Sequence, residues 1–177
     1  MIYEPTAAEF PYLFNNQRLC ELSALQIMDS QPDFQFDRLT NLASVATGAP
    51  LALISLVDDH RQWFLSAIGL VGDLDTSRQT PLSHSFCAHV VEHRQPLIVY
   101  ESATDPLVMK NGAFLELNIQ AYLGYPILLE SGTAIGSLCA LDVKPRNWQD
   151  RDLHCIKAIA EITAYIIDSS AVCGSER

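Results

Sequence analysis

The chain has 177 residues and a formal net charge of −10. That length suits a single domain able to bury a substantial core, and the acidic balance lacks the basic footprint that binding to nucleic acid phosphates requires. No apolar run approaches the ~18 residues that span a bilayer, and Met1 to Phe10 lacks the basic-then-apolar order of a secretion signal, so neither nucleic acid nor membrane is expected as a partner.

The first seventeen residues, with Pro5 and Pro11, read as a loose lead-in. From Arg18 to Met28, Leu19, Leu22 and Leu25 stand at helical spacing, and Asp29 to Pro32 ends that segment. A second helix is capped by Asp33, carries the stripe Phe36, Leu39, Ala43 and Ala46, and stops at Gly48 and Pro50.

Leu51 to Gly69, LALISLVDDHRQWFLSAIG, is written as a buried β-hairpin. An apolar run stops at Asp58 and Asp59 and resumes after His60, Arg61 and Gln62 as a return strand through Trp63, Phe64 and Ile68, with Gly69 at its end. Val71 to Leu82 is polar and turn-rich and reads as an exposed loop. Ser83 is placed to cap a short helix holding Phe86, Val90 and His93, which Pro96 ends.

A short strand at Leu97 to Tyr100 follows. The stretch from Glu101 to Asn118 contains an Asp105-Pro106 turn and a small helix around Ala113 to Leu117. Tyr122 to Leu129 and Ala134 to Asp142 form a second hairpin turned at Ser131-Gly132, and the repeat of style with Leu51 to Val57 suggests sheet neighbours.

The last helix is read as opening at Asn147. One of its stripes is Leu153, Ile156, Ala160, Thr163 and Ile167, and another is Cys155, Ile159, Ile162 and Ile166. One sheet contact hides one stripe, so the other needs either the Arg18 to Met28 helix or a second subunit, and a homodimer through the terminal helices is the expectation. Residues 171–177 read as a tail. The five cysteines, Cys20, Cys87, Cys139, Cys155 and Cys173, are odd in number and widely spaced, which fits reduced thiols and a cytoplasmic location.

The ordered set FDRLTNLASVATGAP, LALISLVDDHRQWF, SFCAHVV, LIVYESATDP, YLGYPI and IGSLCALDVKPR resembles a GAF domain, most of all those at the sensory end of bacterial histidine kinases and diguanylate cyclases. The likeness covers about Leu19 to Asp168, and a single domain over residues 18–170 is assigned on it. It implies an α+β fold: a central antiparallel sheet with N- and C-terminal helices on one face, and loops plus short helices closing a small-molecule pocket on the other. The function it implies is small-molecule sensing in signal transduction, with an unidentified ligand and a downstream kinase or cyclase output.

No cofactor is expected. The family's cyclic-nucleotide signature is not matched, and Ala88 separates Cys87 from His89 where bilin-binding relatives place cysteine and histidine side by side. His84, Cys87, His89 and His93 have some metal-like character, but an ordinary buried helix face and a histidine at a helix end account for them.

A branch of GAF proteins reduces free methionine sulfoxide through a cysteine in a segment comparable to that of Cys87. The upstream resolving cysteines and the acidic substrate motif of that branch are missing, so no catalytic residue is assigned. A ligand-free dimerisation module is the remaining alternative. Asp58, Asp59 and Asp142 are explained as turn formers, whereas Tyr122, Tyr125, Phe114 and Trp63 either line a pocket or fill the core. The expected ligand-binding residues are Cys87, His89, Asp105, Phe114 and Tyr122.

Overall fold

The computed structural model describes the backbone of residues 2–174 and the side chains of residues 2–170. The tail assigned to residues 171–177 therefore lies outside the described side chains. The helices are α1 (Asn16–Ala24), α2 (Phe34–Thr47), α3 (Asp73–Ser77), α4 (Cys87–His93), α5 (Gly112–Leu115) and α6 (Asp150–Gly174). The strands are β1 (Leu51–Val57), β2 (Arg61–Ile68), β3 (Gln79–Pro81), β4 (Leu97–Val99), β5 (Ala121–Leu128) and β6 (Ala134–Asp142).

These strands make one antiparallel sheet in the order β3-β2-β1-β6-β5-β4. The two strands that match in style, β1 and β6, are its central pair, aligned from Leu51 opposite Leu141 to Leu56 opposite Gly136. Because successive side chains in a strand point to opposite faces, the continuous apolar runs feed two cores. Ile54, Leu56, Leu123, Ile127 and Leu138 lie with Phe36, Ala43 and Ile156 in the core under α2 and α6. Leu53, Val57, Phe64, Tyr122 and Cys139 lie in the opposite core with Phe86, Val90 and Val91 of α4.

Local chemistry sets the helix ends. Asp33 accepts a hydrogen bond from the Gln35 amide at 2.8 Å, and Gly48 closes α2 at φ 65°, a left-handed angle that costs glycine little. On its inner side Thr40 meets the Ser66 hydroxyl at 2.7 Å, and Ser66 donates to Asp37 at 2.6 Å, tying α2 to β2.

Several sequence expectations are corrected. α1 ends at Ala24 rather than Met28, because the chain takes positive φ at Gln26 (54°) and Asp29 (61°). Leu25, Ile27 and Met28 still pack on the core, so their apolar character serves a turn rather than a helix. The lead-in is not loose: Phe10 and Leu13 are buried, and Glu92 accepts from the Leu13 amide at 2.8 Å.

The segment read as an exposed loop contains α3 and the edge strand β3, which pairs Gln62 with Thr80. α4 begins at Cys87, where Ser85 rather than Ser83 accepts from a helix amide, that of Ala88, at 3.0 Å. α6 opens at Asp150, three residues after Asn147, with Trp148 donating to the Val99 carbonyl at 3.0 Å to fix the approach.

On α6, Ile156, Ala160, Thr163 and Ile167 are buried as the first stripe requires. The second stripe divides, with Ile159 buried while Ile162 is 47% exposed. Within the chain α6 as a whole packs on α2 as well as on β5 and β6.

Candidate functional site

The five expected site residues do not converge. Cys87 and Tyr122 do meet: the Cys87 sulfur lies 3.2 Å from the Tyr122 hydroxyl and 3.9 Å from the Cys139 sulfur, and the same hydroxyl lies 3.1 Å from that of Ser137. Tyr122 lies flat along β5, where a Cβ on Gly124 would collide with its ring. Burial holds the Tyr122 phenol and the Cys139 thiol well above their ordinary pKa values. At Cys87 burial pushes in the same direction, but hydrogen bonding, from Cys139 first and then Tyr122, outweighs it and lowers the pKa.

Access decides what this cluster does, since a thiol must reach its reactant as well as ionise. Cys87 is 2% exposed and Cys139 0%. In a thiol titration of the native protein, Cys20 is expected to react promptly, while Cys87 and Cys139 react only as the protein unfolds. Prompt modification of Cys87, identified by peptide mapping, would contradict the packing described.

His89 and Asp105 belong to another region. His89 is buried edge-to-face against Phe10, with ring centroids 5.1 Å apart. Burial and neighbouring His93 lower its pKa to about 4, against an opposing effect of Asp105. Asp105 forms the expected turn, accepting from the Leu107 amide at 2.9 Å. Phe114 packs, partly buried, on the core around α4.

Asp58 and Asp142 act as turn formers at the strand ends, whereas Asp59 approaches the His60 ring at 3.4 Å. Asp58 accepts from the amides of His60 and Arg61, both at 2.7 Å, and Asp142 accepts from the Lys144 amide at 3.2 Å. Among the described residues, no three His, Cys, Asp or Glu side chains converge as a metal site.

The cavity with ligand-site character lies elsewhere on the same face of the sheet. It has a volume of about 350 Å³, within the range of small-molecule sites. Leu51, Leu53, Phe64 and Leu141 form its floor, residues 69–74 one wall, and Ala113, Leu117 and Ile119 the cover. At its rim Gly69 has φ 85°, and a Cβ there would collide with the Pro50 carbonyl, so glycine is required for β2 to end so close to β1.

Gln62, Thr80 and His84 supply the polar side chains of the lining. Gln62 accepts from Ser85 at 2.6 Å and donates to Thr80 at 3.4 Å. His84 is held between the Ser83 hydroxyl at 3.1 Å and Glu116 at 2.9 Å, its ring against Gly112 where no Cβ would fit.

None of the five expected residues lines this cavity. Gln62 carried a usable signal, a polar residue at an inward position of an apolar strand. Thr80 carries none, because a three-residue edge strand within a polar, turn-rich stretch has no apolar pattern of its own. A larger hollow of about 480 Å³ lies on the opposite face, beside the α1–α2 connection and α6, where Ser30, Gln31, Asp33 and Ser170 give it a more polar lining.

Residues 36–168 match the sequence profile of the GAF domain. The chain belongs to the GAF family. This GAF domain is 32% identical over 149 residues to a cyclic di-GMP phosphodiesterase of Pseudomonas aeruginosa, a match that takes in 83% of this chain and 24% of that protein. The chain thus spans about a quarter of that relative's length.

Among solved structures, the GAF domain of a phosphoenolpyruvate-protein phosphotransferase from Acinetobacter superimposes with a TM-score of 0.65 at 15% identity, over 92% of this chain and 99% of that one. A type II free methionine-R-sulfoxide reductase from Thermoplasma acidophilum gives 0.61 at 13% identity, over 76% and 91%. At such identities these likenesses show a shared fold.

Proposed function

We propose that this GAF domain is a non-catalytic regulatory module that senses a small molecule in the cavity above β1 and β2. The observation that carries this reading is the cavity itself, apolar in its floor and cover, with buried polar side chains grouped on one wall. That combination is how small-molecule sites gain both affinity and orientation. The buried position of Cys87 supports a regulatory role over a reductase.

A ligand shifts a conformational equilibrium only if it binds one arrangement better than the other. β1 and β2 provide a route for such bias. Leu53 and Phe64 face the cavity, whereas Ile54, Leu65 and Ser66 face α2. The proposed output passes through a homodimer of terminal helices, for which Leu42 and Val45 on α2 and Ile162 and Tyr165 on α6 are exposed apolar side chains.

The likeness to a cyclic di-GMP phosphodiesterase supports a place upstream of cyclic di-GMP turnover or a similar kinase or cyclase output. The free thiols among the described residues suit the reducing cytoplasm.

The test is a thermal-shift screen of metabolites on the wild type and on Leu117→Trp, which fills the cavity from its cover. At least one compound should stabilise the wild type and leave the variant unmoved; equal responses to every compound would overturn the reading. For the dimer, sedimentation of wild type against Ile162→Glu/Tyr165→Glu should show dissociation in the variant. A wild type that remains monomeric at high concentration would remove the dimer from the proposal.

A further inference from the structure

We propose that the cavity takes a neutral carbonyl compound with a hydrocarbon body, of about a dozen non-hydrogen atoms, and excludes nucleotides and other strongly anionic ligands. This deepens the sensing function proposed above and rests on it. Size comes first: a cavity of about 350 Å³, at ~30 Å³ for each water-sized group, holds about a dozen such groups.

Charge comes next. No lysine or arginine lines the cavity. His84 is the one lining side chain that can become a cation, and both of its ring nitrogens are engaged, one by Ser83 and the other by Glu116. A phosphate group entering here would lose its hydration and find a carboxylate near the rim in place of a counter-ion. Burying an unpaired charge is far more costly than burying a neutral polar group.

The polar wall identifies the ligand group. A carboxamide carries two N–H donors and a hydroxyl carries one. Gln62 gives one N–H to Thr80 and uses its oxygen to accept from Ser85. Its second N–H and the Thr80 hydroxyl proton have no protein acceptor among the described residues, although Gln62 is 4% exposed and Thr80 5% exposed.

Gln62 and Thr80 are also paired across β2 and β3, which sets the two donors side by side. A carbonyl oxygen has two lone pairs and accepts both hydrogen bonds. A hydrocarbon body then lies against Leu53, Phe64, Leu117 and Leu141. A carboxylate would satisfy the same donors but would bring an uncompensated charge.

Calorimetric titration of the chain with octanamide, acetophenone, octanoate and cyclic di-GMP tests this assignment. At least one of the two neutral carbonyl compounds should bind, with octanoate at least about tenfold weaker and cyclic di-GMP without effect. Thr80→Val keeps the shape of the side chain and removes its donor, so affinity should fall about tenfold. Leu117→Trp should abolish binding, with circular dichroism confirming that the variant is folded.

Octanoate or cyclic di-GMP binding as tightly as the carbonyl compounds, with sensitivity to Leu117→Trp, would overturn the ligand class and leave sensing in place. Failure of both carbonyl compounds, beside a screening hit that Leu117→Trp abolishes, would do the same. Failure of both with no such hit would overturn the sensing function as well. Carbonyl binding that neither substitution affects would place the ligand outside the cavity and overturn the inference.

Discussion

Arg18→Ala is expected to lower the unfolding free energy by about 3–5 kcal/mol, the combined cost of buried carbonyls left without a donor and of a large-to-small change in a packed site. Arg18 is 2% exposed, and its guanidinium donates to the Leu13 carbonyl at 2.9 and 2.6 Å, to Val57 at 2.9 Å and to Ala134 at 3.4 Å. One side chain thereby joins the N-terminal segment, the end of β1 and the start of β6. Alanine would leave three carbonyls without that donor and a hole where the stem had packed.

Burial lowers the Arg18 pKa, with Tyr12, Asp58, Asp59 and Glu92 acting against it, yet a guanidinium in a protein remains protonated. Lysine carries the charge without the fork, so Arg18→Lys should retain part of the stability. Urea denaturation monitored by circular dichroism provides the measurement. A loss below about 1 kcal/mol for Arg18→Ala would show that the segment is held by other contacts.

Acidification is expected to destabilise the fold through His89 by about 3 kcal/mol. Its pKa falls from 6.5 to about 4 in the folded protein, and each unit is worth about 1.4 kcal/mol. Burial is the main cause, added to by His93 and opposed by Asp105, with Glu9 and Lys110 also lining this region.

The sign follows from which state binds the proton first. Above the unfolded pKa of 6.5 both states hold a neutral imidazole, and His89 adds no pH dependence. As pH falls toward 4 the unfolded chain takes up the proton while the folded one resists, so stability declines until the folded pKa is passed. Urea midpoints from about pH 7 to pH 4 should fall more steeply for wild type than for His89→Leu. Parallel slopes would mean that His89 is solvated.

The sheet was readable because its signals are local. β6 has the predicted bounds, and β1 opens on Leu51 and ends before Asp58, because continuous aliphatic runs between turn formers leave little choice of structure. Asp33 and Gly48 marked α2 for the same reason. α1 was overextended because Leu25, Ile27 and Met28 are apolar whether they continue a helix or pack after a left-handed turn.

The cavity was less readable, since it is made by tertiary contacts. Cys87 and Tyr122 were singled out for their chemistry and do meet, but as a filled core. His89 and Asp105 lie by the N-terminal segment, whose packing depends on Glu92, far along the chain, and on Arg18, which ties it to the distant Val57 and Ala134. Gln62 and Thr80 become partners only because β3 returns to the sheet edge.

The central claim is that the space between the sheet and its cover of residues 69–84 and 112–119 receives the ligand. Amide-detected NMR of the uniformly nitrogen-15-labelled chain, titrated with the carbonyl compound that calorimetry selects, reads this directly. The Gln62 side-chain amide and the backbone amides of Thr80, Ala113 and Leu117 should shift together and saturate. Saturable shifts confined to the 480 Å³ hollow around Gln26, Gln31 and Ser170, with the Gln62 resonances unmoved, would contradict the account.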